Sequence, residues 1–218
     1  MEGALLQSSL VNGIVSSSTM GNYGPMFVAI VMGISLSACC GFRVFSPLFI
    51  TSVSGYYGLL PITIGPEFSW IFSFYTMIFL GVATITEMFA YFIPLVDNAL
   101  DLIATPAAVI AGGFASFVVM SDLPPFVQWG VAIVGGSGGA GLIQTSTAGI
   151  RLGSTTMTGG CANSVVTFFE NFAAITLPII AIIAPFVAIV LIILCVFIFY
   201  KVGKKMKGKI SKTKSIIN

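Results

Sequence analysis

Long apolar runs separated by short polar stretches occupy most of this sequence. The clearest run covers residues 69–92, and as an α-helix rising about 1.5 Å per residue it would be about 36 Å long. The hydrocarbon core of a bilayer is roughly 30 Å thick, so this run predicts a membrane-spanning helix. Runs at 25–41, 106–120 and 178–200 predict further crossings, although 106–120 is short for a span. The pattern predicts an all-α polytopic membrane protein.

Small residues and proline interrupt the apolar pattern at two places. Pro47 follows Gly41 and Arg43 closely, and glycine, serine, threonine and alanine dominate residues 135–160. Such residues are not typical of a straight, lipid-facing helix, so we expect broken or re-entrant segments at both places. The second segment has two interpretations: tight helix packing, or an ion-coordinating or water-filled path.

The chain divides into four predicted parts. Residues 1–24 form an interfacial segment that lacks the basic and apolar regions of a signal peptide. Residues 25–120 and 121–200 form two membrane repeats, separated by the turn SDLPP. Residues 201–218 form a basic tail.

The two repeats are predicted from a motif that occurs in both. Glu87 begins EMFA and Pro94 follows it, whereas Glu170 begins ENFA and Pro178 follows it. The halves also agree in the order of apolar and polar segments, although the register between them is not constant. Six crossings with two re-entrant segments would make the repeat inverted, and eight crossings would make it parallel. We favour the inverted form because the interruptions suit the broken helices of transporters.

The composition supports a membrane protein and places its tail. The chain is 57% hydrophobic and 7% charged, and its mean hydropathy is +1.07, whereas soluble domains are about 25% charged. Seven lysines fall within the last eighteen positions. The positive-inside rule puts this tail in the cytoplasm, and an even number of crossings puts the amino terminus there too. Topology explains the lysines, so we expect no nucleic-acid partner.

Two arginines and two glutamates within the apolar region define the candidate site. A charge at membrane depth costs about 2.5–3.5 kcal/mol on insertion scales, so such residues are functional candidates. Pairing reduces that cost. We therefore expect Arg43 and Arg151 to neutralise Glu87 and Glu170 near the midplane, between the halves. The other predicted substrate-binding residues are polar: Asn163, Thr145, Ser146 and Thr147.

This candidate site has two interpretations. It is either the binding site of a small transporter or channel-like protein, or a set of ion pairs that only joins helices in a lipid-handling or structural protein. The arginines suggest an anionic or lipid-phosphate substrate, and the glutamates suggest a cation. Asp97 and Asp101 lie four residues apart in a predicted surface helix. They form either a solvated face or a weak candidate site for headgroups or a divalent metal ion.

Several other functional classes receive little support. The chain has no histidine, which excludes His-dependent catalytic triads and the usual zinc sites. Its four cysteines fall in apolar or small-residue segments and predict buried thiols rather than disulfides. We expect no enzymatic activity and no cofactor. The expected partners are the bilayer, an ion or charged solute and, because a 22.9 kDa chain is small, a second copy.

Three segments resemble a bacterial integral membrane family catalogued as domain of unknown function 4126. They are GFRVFSPLFITSVSGYYGL, TEMFAYFIPLVDNALDLIATP and GGCANSVVTFFENFAAI, and the resemblance covers roughly residues 30–190. The positions that match the family pattern are Gly41, Arg43, Pro47, Glu87, Pro94, Asp97, Asp101, Pro106, Asn163 and Glu170. Family members often carry a basic or histidine residue near Thr145–Ala148, where this chain has small and hydroxylic residues. The resemblance implies the fold and a multi-pass protein of the inner membrane, and it implies no activity.

Overall fold

The computed structural model describes residues 23–159 and 163–217, and most of them lie in helices. The helical elements in chain order are α1 (Tyr23–Cys39), α2 (Phe45–Tyr56), a 3₁₀ segment (Pro66–Phe72), α3 (Phe74–Ala90), α4 (Pro94–Val119), α5 (Pro125–Val131), a π turn (Ala132–Ser137), α6 (Gly138–Thr158), α7 (Asn163–Ile183) and α8 (Pro185–Ile217). The prediction for residues 1–24 lies almost wholly outside the described residues.

Four helical stretches in the described ranges are long and apolar enough to cross a membrane. They cover 99–119, 125–156, 163–183 and 185–202. The 3₁₀ segment and α3, which meet at a bend of 55°, would make a fifth span, and α1 is apolar but shorter. The all-α membrane architecture is confirmed. The predicted six crossings are not reached by these criteria of length and composition.

The prediction of a surface helix over 94–105 followed by a short crossing is wrong. A single helix of 26 residues, α4, runs through Pro106. Its alanines at 108 and 111 are buried with Cys40 and Ala140 of neighbouring elements. This packing holds the helix together across the proline, as neighbouring helices commonly do in membrane proteins.

The two predicted interruptions have different outcomes. The chain does break between α1 and α2, around Arg43. Residues 125–158, by contrast, form a continuous helical run in which a π turn replaces the expected break. Glycines there permit close packing: a Cβ placed on Gly136 would lie 2.8 Å from Ser116 Cβ. The packing interpretation of this segment is therefore supported, as small residues at membrane interfaces generally allow.

Helix α1 and the residues just after it lie beside the run formed by the π turn and α6, and the two run in the same direction. The neighbouring pairs are Ile34 with Gly135, Ala38 with Gly139, and Gly41 with Ile143. An inverted repeat would make these first helices of the two halves antiparallel. The EMFA and ENFA motifs also differ in setting, because Pro94 begins a new helix whereas Pro178 lies within α7.

The bundle has two distinct ends. Both tryptophans, Trp70 and Trp129, are exposed at one, which we call the aromatic end, and Tyr57, Tyr75 and Phe126 are exposed there too. Such residues are typical of the membrane–water interface. The opposite end, which we call the charged end, contains the starts of α4 and α7, the end of α6, and the lysines of α8.

Helices α1 and α8 run in parallel from the aromatic end to the charged end. Near their starts, the ring centroids of Phe27 and Phe186 are 5.7 Å apart. Further along, those of Phe42 and Phe199 are 6.0 Å apart. The described chain therefore begins at the aromatic end, and its lysines follow Phe199 at the charged end.

Candidate functional site

Four charged side chains from four different elements meet inside the bundle. Arg43 comes from the connection between α1 and α2, Asp101 from α4, Arg151 from α6 and Glu170 from α7. The side chains of both arginines are fully buried, that of Glu170 is 2% exposed and that of Asp101 is 14% exposed. We call these four residues the charge network.

Glu170 joins the two arginines of the network. Its Oε2 lies 3.2 Å from Arg43 Nη1 and 3.1 Å from Arg151 Nη1. Arg151 Nη2 in turn lies 2.6 Å from Asp101 Oδ1. Among the described side chains, two cations thus face two anions. The predicted pairing of both arginines with Glu170 is confirmed, and Asp101 belongs to the network rather than to a solvated face.

The network is nearer the charged end than the predicted midplane position. Asp101 and Glu170 each lie seven residues after the first residue of their helix, and Arg151 lies seven residues before the last residue of α6. Seven residues of α-helix span about 10 Å. The charges are therefore about two turns inside the bundle. At this depth they are covered by protein on nearly all sides.

Tyr91, in the turn between α3 and α4, contacts both guanidinium groups. Its ring centroid is 3.8 Å from Arg43 Cζ and 4.5 Å from Arg151 Cζ. Arginine stacks well on aromatic rings, and desolvation strengthens the attraction. Tyr91 was not predicted as a site residue, since a tyrosine at the end of an apolar run is also typical of an ordinary interfacial aromatic.

The remaining contacts of Arg43 fix its orientation. Its Nε donates a hydrogen bond to Asn171 Oδ1 at 2.7 Å, and its Nη1 donates to the Phe42 carbonyl at 2.9 Å. Asn171 Nδ2 donates to the Met88 carbonyl at 3.4 Å, which ties α7 to α3. The Nη2 group of Arg43 makes no hydrogen bond within the described residues. Asn171, next to Glu170, was also missed.

Glu87 does not pair with an arginine, so that expectation is wrong. Its carboxylate accepts hydrogen bonds from the backbone N–H groups of Val44, at 2.8 Å, and Phe45, at 3.0 Å. These amides lie at the start of α2, where no preceding turn of helix can accept their hydrogen bonds. A carboxylate is favoured there by the helix dipole as well. Glu87 therefore caps α2 from the neighbouring helix α3.

A line of buried polar residues extends from the network along one face of α6. Gln144, Thr147, Arg151 and Ser154 follow one another at spacings of three and four residues, which places them on one side of the helix. All four are buried. Two polar atoms among them, Gln144 Nε2 and Ser154 Oγ, make no hydrogen bond in the described part of the chain.

Polar residues of α7 complete this line. Asn163, Thr167 and Glu170 are buried and share one face of α7. Asn163 Nδ2 donates a hydrogen bond to Thr155 Oγ1 of α6 at 2.9 Å, and Thr167 Oγ1 donates to the Tyr91 carbonyl at 3.4 Å. We call the residues concerned the polar seam: Gln144, Thr147, Arg151, Ser154, Asn163, Thr167 and Glu170.

The structure separates the three hydroxylic residues predicted for the site. Thr147 lies in the polar seam and is fully buried. Thr145 is exposed, and its hydroxyl donates to the carbonyls of Gly141 and Leu142 in its own helix. Ser146 Oγ also donates to the Leu142 carbonyl, at 2.6 Å. Thr145 and Ser146 therefore lie outside the seam, and substrate binding by any predicted residue stays a prediction.

The described residues do not test the weak metal prediction for Asp97 and Asp101, which stays a prediction. Asp101 is paired with Arg151, and the side chain of Asp97 is outside the described part of the structure. Among the described residues, no three His, Cys, Asp or Glu side chains are grouped so that they could hold a metal ion. The described cysteines are free thiols, with Cys39 and Cys40 buried and Cys195 half-buried.

Apolar spans around buried, mutually paired charges define an integral membrane protein made of α-helices. The chain belongs to the family described as Domain of unknown function (DUF4126), whose sequence model matches residues 30–205. The resemblance found in the sequence is confirmed. No curated protein and no solved structure matches the chain.

Proposed function

We propose that this protein moves an ion or a small charged solute across the membrane along the polar seam. The observation that carries the proposal is the line of buried polar side chains between α6 and α7, which continues into the charge network. Ionisable residues within membrane helices commonly mark ion and substrate pathways. The proposal gives the chain no enzymatic activity and no cofactor.

The neutral members of the seam separate this proposal from a purely structural role. Ion pairs alone would account for the charge network, since they join four elements. They would not account for Gln144 and Ser154, whose buried polar atoms lack hydrogen bonds in the described residues. Leaving such a group unpaired costs about 1–3 kcal/mol. A path that takes up water or a solute would remove that cost.

The seam is closed toward the aromatic end. Beyond Gln144, the same face of α6 carries Ala140 and Ile143, both buried in apolar clusters. Gly41 lies against Ala140 so closely that no side chain would fit there. Transport in this proposal therefore requires a second conformation that opens the aromatic end. The π turn before α6 is a candidate hinge, because π turns often occur at functional sites.

The orientation we propose follows from the lysine-rich end of α8. The positive-inside rule puts the charged end in the cytoplasm of a cell whose plasma, or inner, membrane holds the protein. The start of α1 lies at the other end of the bundle, which this orientation puts on the opposite side of the membrane. The predicted cytoplasmic amino terminus lies outside the described residues and stays a prediction. The parallel directions of α1 and α6 favour a parallel relation of the two halves over an inverted one. A homodimer stays a prediction.

Flux measurements on reconstituted protein test the proposal. Purified protein in liposomes is given gradients of H⁺, Na⁺, K⁺ and Cl⁻ in turn, with protein-free liposomes as the blank. We expect one of these ions to move faster than in the blank. Gln144→Leu should lower that flux at least tenfold, because it replaces a polar member of the seam with an apolar side chain of similar size.

Thr145→Val is the matched control for that variant. It removes a hydroxyl one position along the same helix, but from the exposed face outside the seam. Its flux should equal that of the unmodified protein. If no ion moves faster than in the blank, or if both variants carry the ion at the unmodified rate, the structural interpretation of the charge network replaces this proposal.

A further inference from the structure

A groove between α3 and α4 opens sideways from the membrane region. The two helices are consecutive in the chain but diverge, because α3 packs on α2 whereas α4 packs on α1, the π turn and α6. The space between them has a volume of about 460 Å³. Small-molecule sites are generally about 300–1,000 Å³. The groove is therefore large enough for part of a lipid.

The walls of the groove are apolar and reach the lipid-facing surface. Phe79 and Val82 of α3 and Ile103 of α4 line it, and each is more than half exposed. Side chains on both helices thus offer an apolar chain a continuous surface that it can enter from the bilayer.

A single carboxylate gives this apolar groove its polarity. Glu87 is the one charged side chain among the described residues that line it. Its two hydrogen bonds to the start of α2 leave acceptor positions open, because an ionised carboxylate offers about four. Glu87 lies three residues before the last residue of α3, at the end of the groove that Tyr91 also lines.

The charge of the groove favours a cationic headgroup. Arg43 and Arg151 are buried and are not part of the lining. Tyr91 lines the groove and also contacts both guanidiniums, so it separates them from any ligand. We propose that the groove binds one acyl chain of a membrane lipid whose primary ammonium headgroup donates hydrogen bonds to Glu87. This site is distinct from the polar seam.

Lipid competition measured by native mass spectrometry tests this site. The full-length protein is equilibrated with equal amounts of phosphatidylethanolamine, phosphatidylcholine and phosphatidylglycerol that carry the same acyl chains. We expect the protein to retain at least fivefold more phosphatidylethanolamine than phosphatidylglycerol. Glu87→Gln should abolish that preference, and Ala83→Phe, which fills the groove from α3, should lower retention of all three. Glu67→Gln removes a carboxylate outside the groove and should change nothing.

A second series uses only the unmodified protein, in case Glu87→Gln does not fold. Successive N-methylation of phosphatidylethanolamine removes N–H donors while keeping the positive charge, so retention should fall stepwise. Equal retention of every headgroup would mean adventitious binding of acyl chains and would overturn the proposal. A homodimer that Ala83→Phe dissociates would also overturn it, since a second copy would then occupy the groove.

Discussion

At the scale of single residues, the charge network depends most on Glu170. This carboxylate contacts both arginines, whereas the carboxylate of Asp101 is paired with Arg151 and is partly exposed. Removing a partner from a buried ion pair leaves an uncompensated charge in a medium of low polarity. The two acids are therefore not equivalent, although both carry one charge.

Glu170→Gln should destabilise the protein by about 3–5 kcal/mol, because it removes the carboxylate that both buried arginines contact. Asp101→Asn should cost less, since Arg151 keeps Glu170 and solvent reaches the site of Asp101. Thermal unfolding in detergent measures the loss of stability of each variant relative to the unmodified protein. Equal losses of stability would show that Glu170 does not join the two arginines.

Some members of the charge network can be predicted from the sequence, and others cannot. Arg43, Arg151 and Glu170 are recognisable because charges are rare in apolar segments. Asp101 is not, since its spacing from Asp97 is equally typical of a solvated helix face. Glu87 caps α2 because the start of α2 lies next to it in the fold. No local sequence pattern predicts that proximity.

At the scale of helices, close packing of small residues holds α4 against the π turn and α6. A Cβ placed on Gly112 of α4 would lie 2.5 Å from Ala140 Cβ and 3.1 Å from the Gly136 carbonyl. The continuity of α4 and of residues 125–158 could not be predicted, because glycine and proline mark breaks in most sequences. Tertiary packing, visible only in the fold, overrides that preference.

Gly112→Ala should destabilise the protein by about 1–3 kcal/mol, because the added methyl group has no space between α4 and α6. Gly149→Ala is the matched control, since it adds the same group to α6 where no atom lies within 4 Å. The control should be neutral or stabilising by up to about 1 kcal/mol, because alanine favours helix. Denaturation in detergent gives the free energy of unfolding of each variant. Equal changes in the two variants would contradict the close packing of α4 on α6.

At the scale of the whole molecule, the bundle has an aromatic end and a charged end, and the described chain begins at one and finishes at the other. The class of fold was predictable from apolar runs alone. The number of spans and the direction of each half were not, since they depend on which interruptions break a helix. The relative direction of two helices, such as α1 and α6, can be read only from their contacts.

This arrangement predicts the sidedness of two positions. A cysteine at Tyr57, at the aromatic end, should react with a membrane-impermeant maleimide in intact cells. A cysteine at Lys201, after the last apolar turn of α8, should react only after permeabilisation. Both substitutions are made in a chain whose native cysteines are replaced by alanine. Labelling of both positions from the same side would contradict the orientation proposed here.

The most direct test of the polar seam measures flux before and after a cysteine within it is modified. Thr147→Cys places a thiol in the seam, and Thr145→Cys places one on the exposed face of the same helix. In cysteine-free protein reconstituted in liposomes, a small cationic thiol reagent applied at the charged end should stop flux through the first variant and leave the second unchanged. Flux that continues unaltered in both would show that no solute passes along the seam.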